Sequence, residues 1–244
     1  MAPRTAARGT LRTYFQRANL LTSLLLVFPL FLLYQLAVVA LPDVRNGADL
    51  FTSRIFGLLG NSLGNYLLFN LALLAIFVLA LPLLRRKQHF DSRLFVPVLL
   101  ESAIYALTMG ALICYVMNLI GISPALAVGD TVPRVGPLGR VAISLGAGVH
   151  EELVFRLLMI PAIALLLEKV IGTGRVTAIV GAFLVSSVLF SAAHHVIGGE
   201  PFRLGAFTYR IFCGLIFASL YQFRGFAVAV YTHALYDVYV MLFG

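Results

Sequence analysis

Three charged side chains, Glu151, Glu152 and Arg156, interrupt a long apolar run between Val141 and Leu167. An ionisable group inside a membrane span costs about 2.5–3.5 kcal/mol on insertion scales, so such groups tend to pair with one another or do chemistry. On a helix Glu152 and Arg156 are four residues apart on one face, with the acid N-terminal to the base, the favourable order. That spacing reads as a structural pair. Glu151 projects about 100° away, onto another face. A carboxylate in apolar surroundings has the environment in which proteins tune general acids and bases.

Later in the chain come Phe190-Ser191-Ala192-Ala193-His194-His195 and His233-Ala234-Leu235-Tyr236-Asp237. His233 and Asp237, four apart, also share a helical face. Glu151, His194, His233 and Asp237 together make a plausible hydrolytic set. The same four have the donor types that hold Zn²⁺. Each has a plainer reading on its own. An intramembrane histidine is more often a hydrogen-bonded packing residue, Asp237 could simply orient His233, and Glu101 and Arg210 could pair although their depths differ. The case for a site rests on three separate apolar segments supplying compatible groups at one depth. His150-Glu151-Glu152-Leu153-Val154 begins like the zincin motif HExxH, but Val154 stands where the second histidine is needed, so that reading fails.

The elements that must position these groups are membrane helices. The 244 residues are 61% hydrophobic and 11% charged, with mean hydropathy +0.97, whereas soluble domains carry about 25% charged residues. The composition is that of an integral membrane protein with an all-α fold, a polytopic helix bundle. Seven spans are expected, at about 20–41, 65–84, 94–120, 141–167, 176–197, 204–223 and 226–243. A signal-peptide reading of the first is set aside, because its 22-residue run is longer than a usual h-region, although Val38-Val39-Ala40 could pass as a cleavage site. Gly146 and Gly148, just before the acidic pair, would let another backbone approach closely. Residues 42–62 and 121–139 read as loops, the first with a short surface helix and the second rich in Pro and Gly. Cys114 and Cys213 lie in separate spans and form no CxxC pair.

The net charge of +8 does not indicate nucleic acid, because the basic residues cluster beside the apolar spans as positive-inside anchors do. With the N-terminus cytoplasmic, one side holds four in the tail (Arg4, Arg8, Arg12, Arg17), four at 85–93, then Lys169, Arg175 and Arg224. The other side holds five: Arg45, Arg54, Arg134, Arg140 and Arg203. At about 1.5 Å per residue, Glu151, His194, His233 and Asp237 then fall between the midplane and the outer third.

The three motifs Glu151-Glu152…Arg156, Phe190…His194 and His233…Asp237 resemble EExxxR, FxxxH and Hxxx(N or D) of the CPBP family, the CAAX-protease and bacteriocin-processing membrane proteases. The resemblance covers about residues 139–243. It divides the chain into a basic tail (1–19), N-terminal helices (20–138) and a catalytic core (139–244). It implies an intramembrane endopeptidase in which Glu151 and His194 activate water. His233 and Asp237 would stabilise the oxyanion, with Glu152, Arg156 and Phe190 supporting. Prenyl-protease relatives have Asn at the position of Asp237, and an ionised Asp cannot donate to an oxyanion. Asp237 is then protonated, orients His233, or helps bind a metal. If the enzyme is metal-dependent, Glu151, His194, His233 and Asp237 would be the Zn²⁺ ligands. The expected substrate is a membrane-anchored tail or leader cut near its extracytoplasmic end, as in myxosortase-like sorting or bacteriocin maturation. A CAAX prenyl-protein endopeptidase is the alternative. Outside proteolysis, intramembrane Glu, His and Asp also suit a proton-coupled transporter, and a non-catalytic immunity or scaffold protein is a third class. The expected location is a bacterial inner membrane.

Overall fold

Within a bilayer no water satisfies backbone polar groups, so an apolar chain closes its hydrogen bonds along its own helices. A computed structural model describes residues 19–46, 50–124 and 135–243, and among these every regular element is helical. The elements are α1 (Leu20–Ala40), α2 (Pro42–Asn46), α3 (Leu50–Leu58), α4 (Leu63–Arg85), a 3₁₀ turn (Ser92–Leu94), α5 (Phe95–Leu119), α6 (Pro137–Glu152), a π segment (Leu153–Met159), α7 (Ile160–Lys169), α8 (Arg175–Val196), α9 (Leu204–Phe223) and α10 (Phe226–Phe243). Six of these runs are long and apolar enough to cross a membrane. They match six of the seven expected spans to within about two residues at each end. The basic tail and, in the loop, residues 125–134 with Pro133 lie outside the described residues, apart from Asn19, whose side chain accepts from Thr22 N and caps α1. The single surface helix expected within 42–62 is two, α2 and α3.

The fourth expected span, 141–167, is a composite of α6, the π segment and α7, in register from Pro137 to Lys169. Pro137 sits at the first helical position, where its missing N–H is no loss. Pro161, the second residue of α7, cannot donate back to the preceding turn, and the irregular segment lies immediately before it. Widening to i→i+5 bonds absorbs the break, a device common near functional sites. Ser186 on α8 donates its hydroxyl to Phe155 O at 2.7 Å, tying the π segment to a neighbour. Such hydroxyls satisfy backbone groups that a membrane helix cannot satisfy alone.

The bundle is organised around α10, which packs against α6, α5, α9 and α1. Every residue from Phe226 to Ala234 is buried. Gly148 makes the α6–α10 contact possible, because a Cβ there would stand 2.8 Å from Ala234 N and Cβ. A Cβ at Gly146 would meet the Tyr34 ring of α1 at 2.5 Å. Arg140 of α6 donates to Met241 O at 3.0 Å, so the start of α6 and the end of α10 lie on one side of the bundle. At the opposite end the α9–α10 connection turns at Gly225, whose φ of 105° favours glycine. In contrast, α4 packs chiefly against α1 and α3 among the described residues. Its Leu68, Leu71, Ile76 and Leu79 are exposed, as befits a lipid-facing helix.

One expected pairing is corrected. Glu101 does not meet Arg210. It takes a two-pronged contact from Arg224, Nε to Oε1 at 2.6 Å and Nη2 to Oε2 at 2.9 Å, and accepts from Tyr105 at 2.8 Å. Arg210 pairs instead with Glu200 at 2.5 Å. The depth difference is the reason: Glu101 is near the start of α5, level with the end of α9, whereas Arg210 lies in the first half of α9.

Candidate active site

The four groups singled out by type and spacing converge. Glu151 Oε2 is 3.9 Å from His194 Nε2 and 3.8 Å from His233 Nε2. His233 Nε2 also lies 3.4 Å from Asp237 Oδ2. Each comes from a different part of the bundle: Glu151 from the end of α6, His194 from the end of α8, and His233 with Asp237 from α10. The side chains of Glu151 and His233 are deep, at 5% and 4% exposure, while those of His194 and Asp237 reach 20% and 23%. The cluster is therefore approached from the side of His194 and Asp237.

Ring tautomers follow from the partners of the Nδ1 atoms. His194 Nδ1 donates to Phe190 O at 3.0 Å, the carbonyl four residues back on its own helix. In the neutral ring its Nε2 is then an acceptor, and it faces Glu151. His233 Nδ1 donates to Glu152 Oε1 at 2.8 Å. Of its three carboxylate neighbours Glu152 is the nearest, so Glu152 sets the ring's orientation, and Asp237 flanks its far nitrogen at 3.4 Å.

This alters the reading of Glu152 and Arg156 as a purely structural pair. The pair exists, with Arg156 Nη1 3.1 Å from Glu152 Oε1. The same oxygen also holds His233, so the pair belongs to the support of the site. Arg156 and Glu152 are 1% and 0% exposed. The guanidinium lies 4.4 Å from the Phe190 ring centroid and 5.3 Å from that of Phe217, a cation–π setting that shields it from lipid. Its Nη2 donates to Gly214 O on α9 at 3.4 Å. Phe190 also packs edge-on against His194 and His233. Sequence reasoning missed Phe217, which stacks on His233 with centroids 4.5 Å apart and planes 13° from parallel. An aromatic residue within an apolar helix carries no signal that would single it out.

The donor types suit zinc, but the spacing does not close around it. Nitrogen and oxygen ligands at zinc bond lengths stand about 3.3 Å apart in a tetrahedron, and Glu151 is farther than that from both imidazoles. Among the described residues no three His, Cys, Asp or Glu side chains form a metal-holding group. The same spacing suits a water molecule. Two polar atoms 3.8–3.9 Å apart are too far for a direct bond yet bridged by one oxygen at about 2.8 Å from each.

Comparison with curated proteins and with solved structures finds no match to this chain. A family model does match: residues 135–239, from the N-cap region of α6 to within α10, fit the type II CAAX prenyl endopeptidase Rce1-like family. All three motifs fall inside that range, and the match supports the resemblance to the CPBP family of membrane proteases.

Proposed function

We propose that Glu151 and His194 activate the water of an intramembrane endopeptidase, with His233 and Asp237 receiving the oxyanion. The family match over residues 135–239 supports a membrane protease. The observation that carries the mechanism is the placement of Glu151 Oε2 3.9 Å from His194 Nε2, with the tautomer of His194 set by Phe190 O. A water between them gives one proton to Glu151 while its oxygen attacks the scissile carbonyl carbon. The carbonyl oxygen becomes an oxyanion beside His233. Its Nδ1–H is committed to Glu152, so Nε2 donates only when the ring carries both protons. A protonated Asp237 would supply a second donor. On collapse of the tetrahedral intermediate the C–N bond breaks and Glu151 returns its proton to the leaving amine. General-base catalysis of this kind contributes about 10²–10⁴-fold.

The substrate is a membrane-anchored peptide or protein. The side at which α6 begins and α10 ends is the side on which the cluster opens, and it faces outward if the N-terminus is cytoplasmic, as the basic loops favour. An extracytoplasmic tail or leader, of the sorting-signal or bacteriocin type, fits that orientation. A cytoplasmic CAAX tail fits the opposite one, and the family description favours it. The division into N-terminal helices and a catalytic core from residue 139, and a bacterial inner-membrane location, belong to the same proposal.

The test is terminal mapping of membrane-protein fragments in cells carrying the parent, Glu151→Gln or His194→Ala. Each variant should insert normally and lose cleavage by at least about 10²-fold. Near-parental cleavage by either variant would sink the assignment. A terminus mapped on the cytoplasmic side would select the CAAX-type substrate.

A further inference from the structure

Outside the catalytic cluster, Arg210 of α9 is a largely buried cation whose surroundings the mechanism does not use. Two contacts fix the α8–α9 register. Ser191 donates to Phe207 O at 2.8 Å, and a Cβ at Gly214 would stand 2.9 Å from Ser187 Cβ. Arg210 lies between these two contacts, level with Phe190, the ring shared by His194 and His233. Its guanidinium reaches back toward the α8–α9 loop and meets Glu200 at 2.5 Å. That loop is folded onto the site's edge: Glu200 N donates to His194 O at 3.2 Å, and His195 Nδ1 donates to Glu200 O at 3.1 Å. Alongside, Tyr209 and Tyr236 share a 2.5 Å hydrogen bond, which brings together the stretches carrying Arg210 and Asp237. The side chains of Arg210 and Glu200 are 17% and 16% exposed, close to those of His194 and Asp237. The four form a half-shielded rim beside the deep Glu151–His233 pair.

Glu200 occupies one end of the Arg210 fork. The other, Nη1, is buried and has no hydrogen-bond partner among the described residues. A guanidinium presents its donors in a fork that matches a carboxylate. Nearby charges make this pointed: Glu151, Asp237 and Glu200 would repel an acidic group entering the site, so a carboxylate there needs a cation such as Arg210 to receive it.

We propose that Arg210 is a specificity-determining residue of the protease, and that its Nη1 receives a carboxylate of the substrate beside the Glu200 it already holds. The inference rests on the protease reading and deepens it by naming a chemical feature of the substrate. The carboxylate is either the peptide's own C-terminus or an acidic side chain near the cut. A lipid phosphate is the less fitting ligand, because Arg210 lies level with Phe190, inside the bundle beside the catalytic groups.

The test is a binding measurement, so that it stands apart from catalysis. Full-length protein carrying Glu151→Gln is placed in phosphatidylcholine nanodiscs. It is titrated with three fluorescent, palmitoylated peptides of one apolar sequence. One ends in a carboxylate, one in a carboxamide, and one in a carboxamide preceded by Asp. The carboxylate or the Asp peptide should bind about tenfold or more tighter than the plain amide. Which of the two does so identifies the source. That preference should vanish in Arg210→Gln, and in Glu200→Gln/Arg210→Gln, which removes both charges and guards against misfolding from an orphaned Glu200. Equal binding of all three peptides, no binding of any, or a preference that survives loss of Arg210 would overturn the subsite. A carboxylate preference in a protein whose parent form cleaves nothing would instead defeat the protease reading and leave the subsite standing.

Discussion

His233 shows how one side chain can be set by three acids of unequal reach. Glu152 at 2.8 Å holds its Nδ1, Asp237 at 3.4 Å and Glu151 at 3.8 Å flank its Nε2. Removing an outer partner that orients a functional histidine typically costs 10–100-fold. We therefore expect Glu152→Ala, which also orphans Arg156 and so lowers folded protein, to lower kcat of the folded fraction by about that factor even though it touches no substrate, with KM little changed. A KM effect alone would count against an orienting role. Asp237 is separable by its amide. If it acts as a hydrogen-bond donor, Asp237→Asn keeps the donor and most of the activity. If it is a metal ligand, the amide is a poorer one. Activity should then drop sharply, and a chelator should inactivate the parent, with affinity for added Zn²⁺ rising with pH as ligands deprotonate. The donor role is expected, since Asn is the alternative residue in the resembling motif. Kinetics of both proteins with and without chelator decide it, and zinc rescue of a chelated parent alongside an inactive Asn variant would reverse the assignment.

At the scale of the element, the α6–α10 crossing carries the site. A Cβ at Gly148 would run into the backbone of Ala234, one residue past His233. Backbone cannot rotate aside as a side chain can, so the helices must separate. Overpacking costs about 1–3 kcal/mol. We expect Gly148→Val to lower thermal stability in detergent by that order. Cleavage should fall further than stability explains, because Glu151 and Glu152 move away from His233. Unchanged activity would show that the crossing has slack. The buried Glu152–Arg156 pair gives a second element-scale expectation. Arg156→Ala leaves a charged Glu152 in an apolar interior, at a cost of about 3–5 kcal/mol, and should reduce folded protein. Glu152→Gln added to Arg156→Ala removes the orphaned charge and should recover folded protein without recovering activity. Full detergent stability of Arg156→Ala on its own would remove the pair from the support of the fold.

For the whole molecule the open quantity is the route of the chain through the bilayer. Six helices qualify as spans on length and composition among the described residues. The composite run from Pro137 to Lys169 makes the seventh crossing if it passes straight through. At about 1.5 Å per residue its 33 residues reach about 50 Å, more than the roughly 30 Å hydrocarbon core requires. A reporter fused after Gly244 should then lie outside the cell, and one inserted after Lys87 inside. Both reporters on the cytoplasmic side would mean an even number of crossings between Lys87 and Gly244, which would turn the catalytic rim toward the cytoplasm.

What the sequence settled without help was whatever depends on neighbours in the chain. An apolar run in a bilayer must satisfy its backbone internally, so the helices and most of their bounds could be read directly. The Glu152–Arg156 pair and the His233–Asp237 face followed from a four-residue spacing. Depth along each helix, at a fixed rise per residue, was enough to gather Glu151, His194 and His233 at one level. The tertiary structure decided what depends on how each helix is rotated about its axis and how far it slides past its neighbour. Each residue turns a side chain by about 100°, so no count along the chain tells which acid His233 meets. The answer was Glu152 rather than Asp237 alone. Likewise Glu101 found Arg224 and Arg210 found Glu200, through contacts fixed by the packing of α5, α8 and α9. The π segment is an intermediate case: Pro161 announced a break, but only packing against α8, where Ser186 meets Phe155 O, determined how the helix absorbs it.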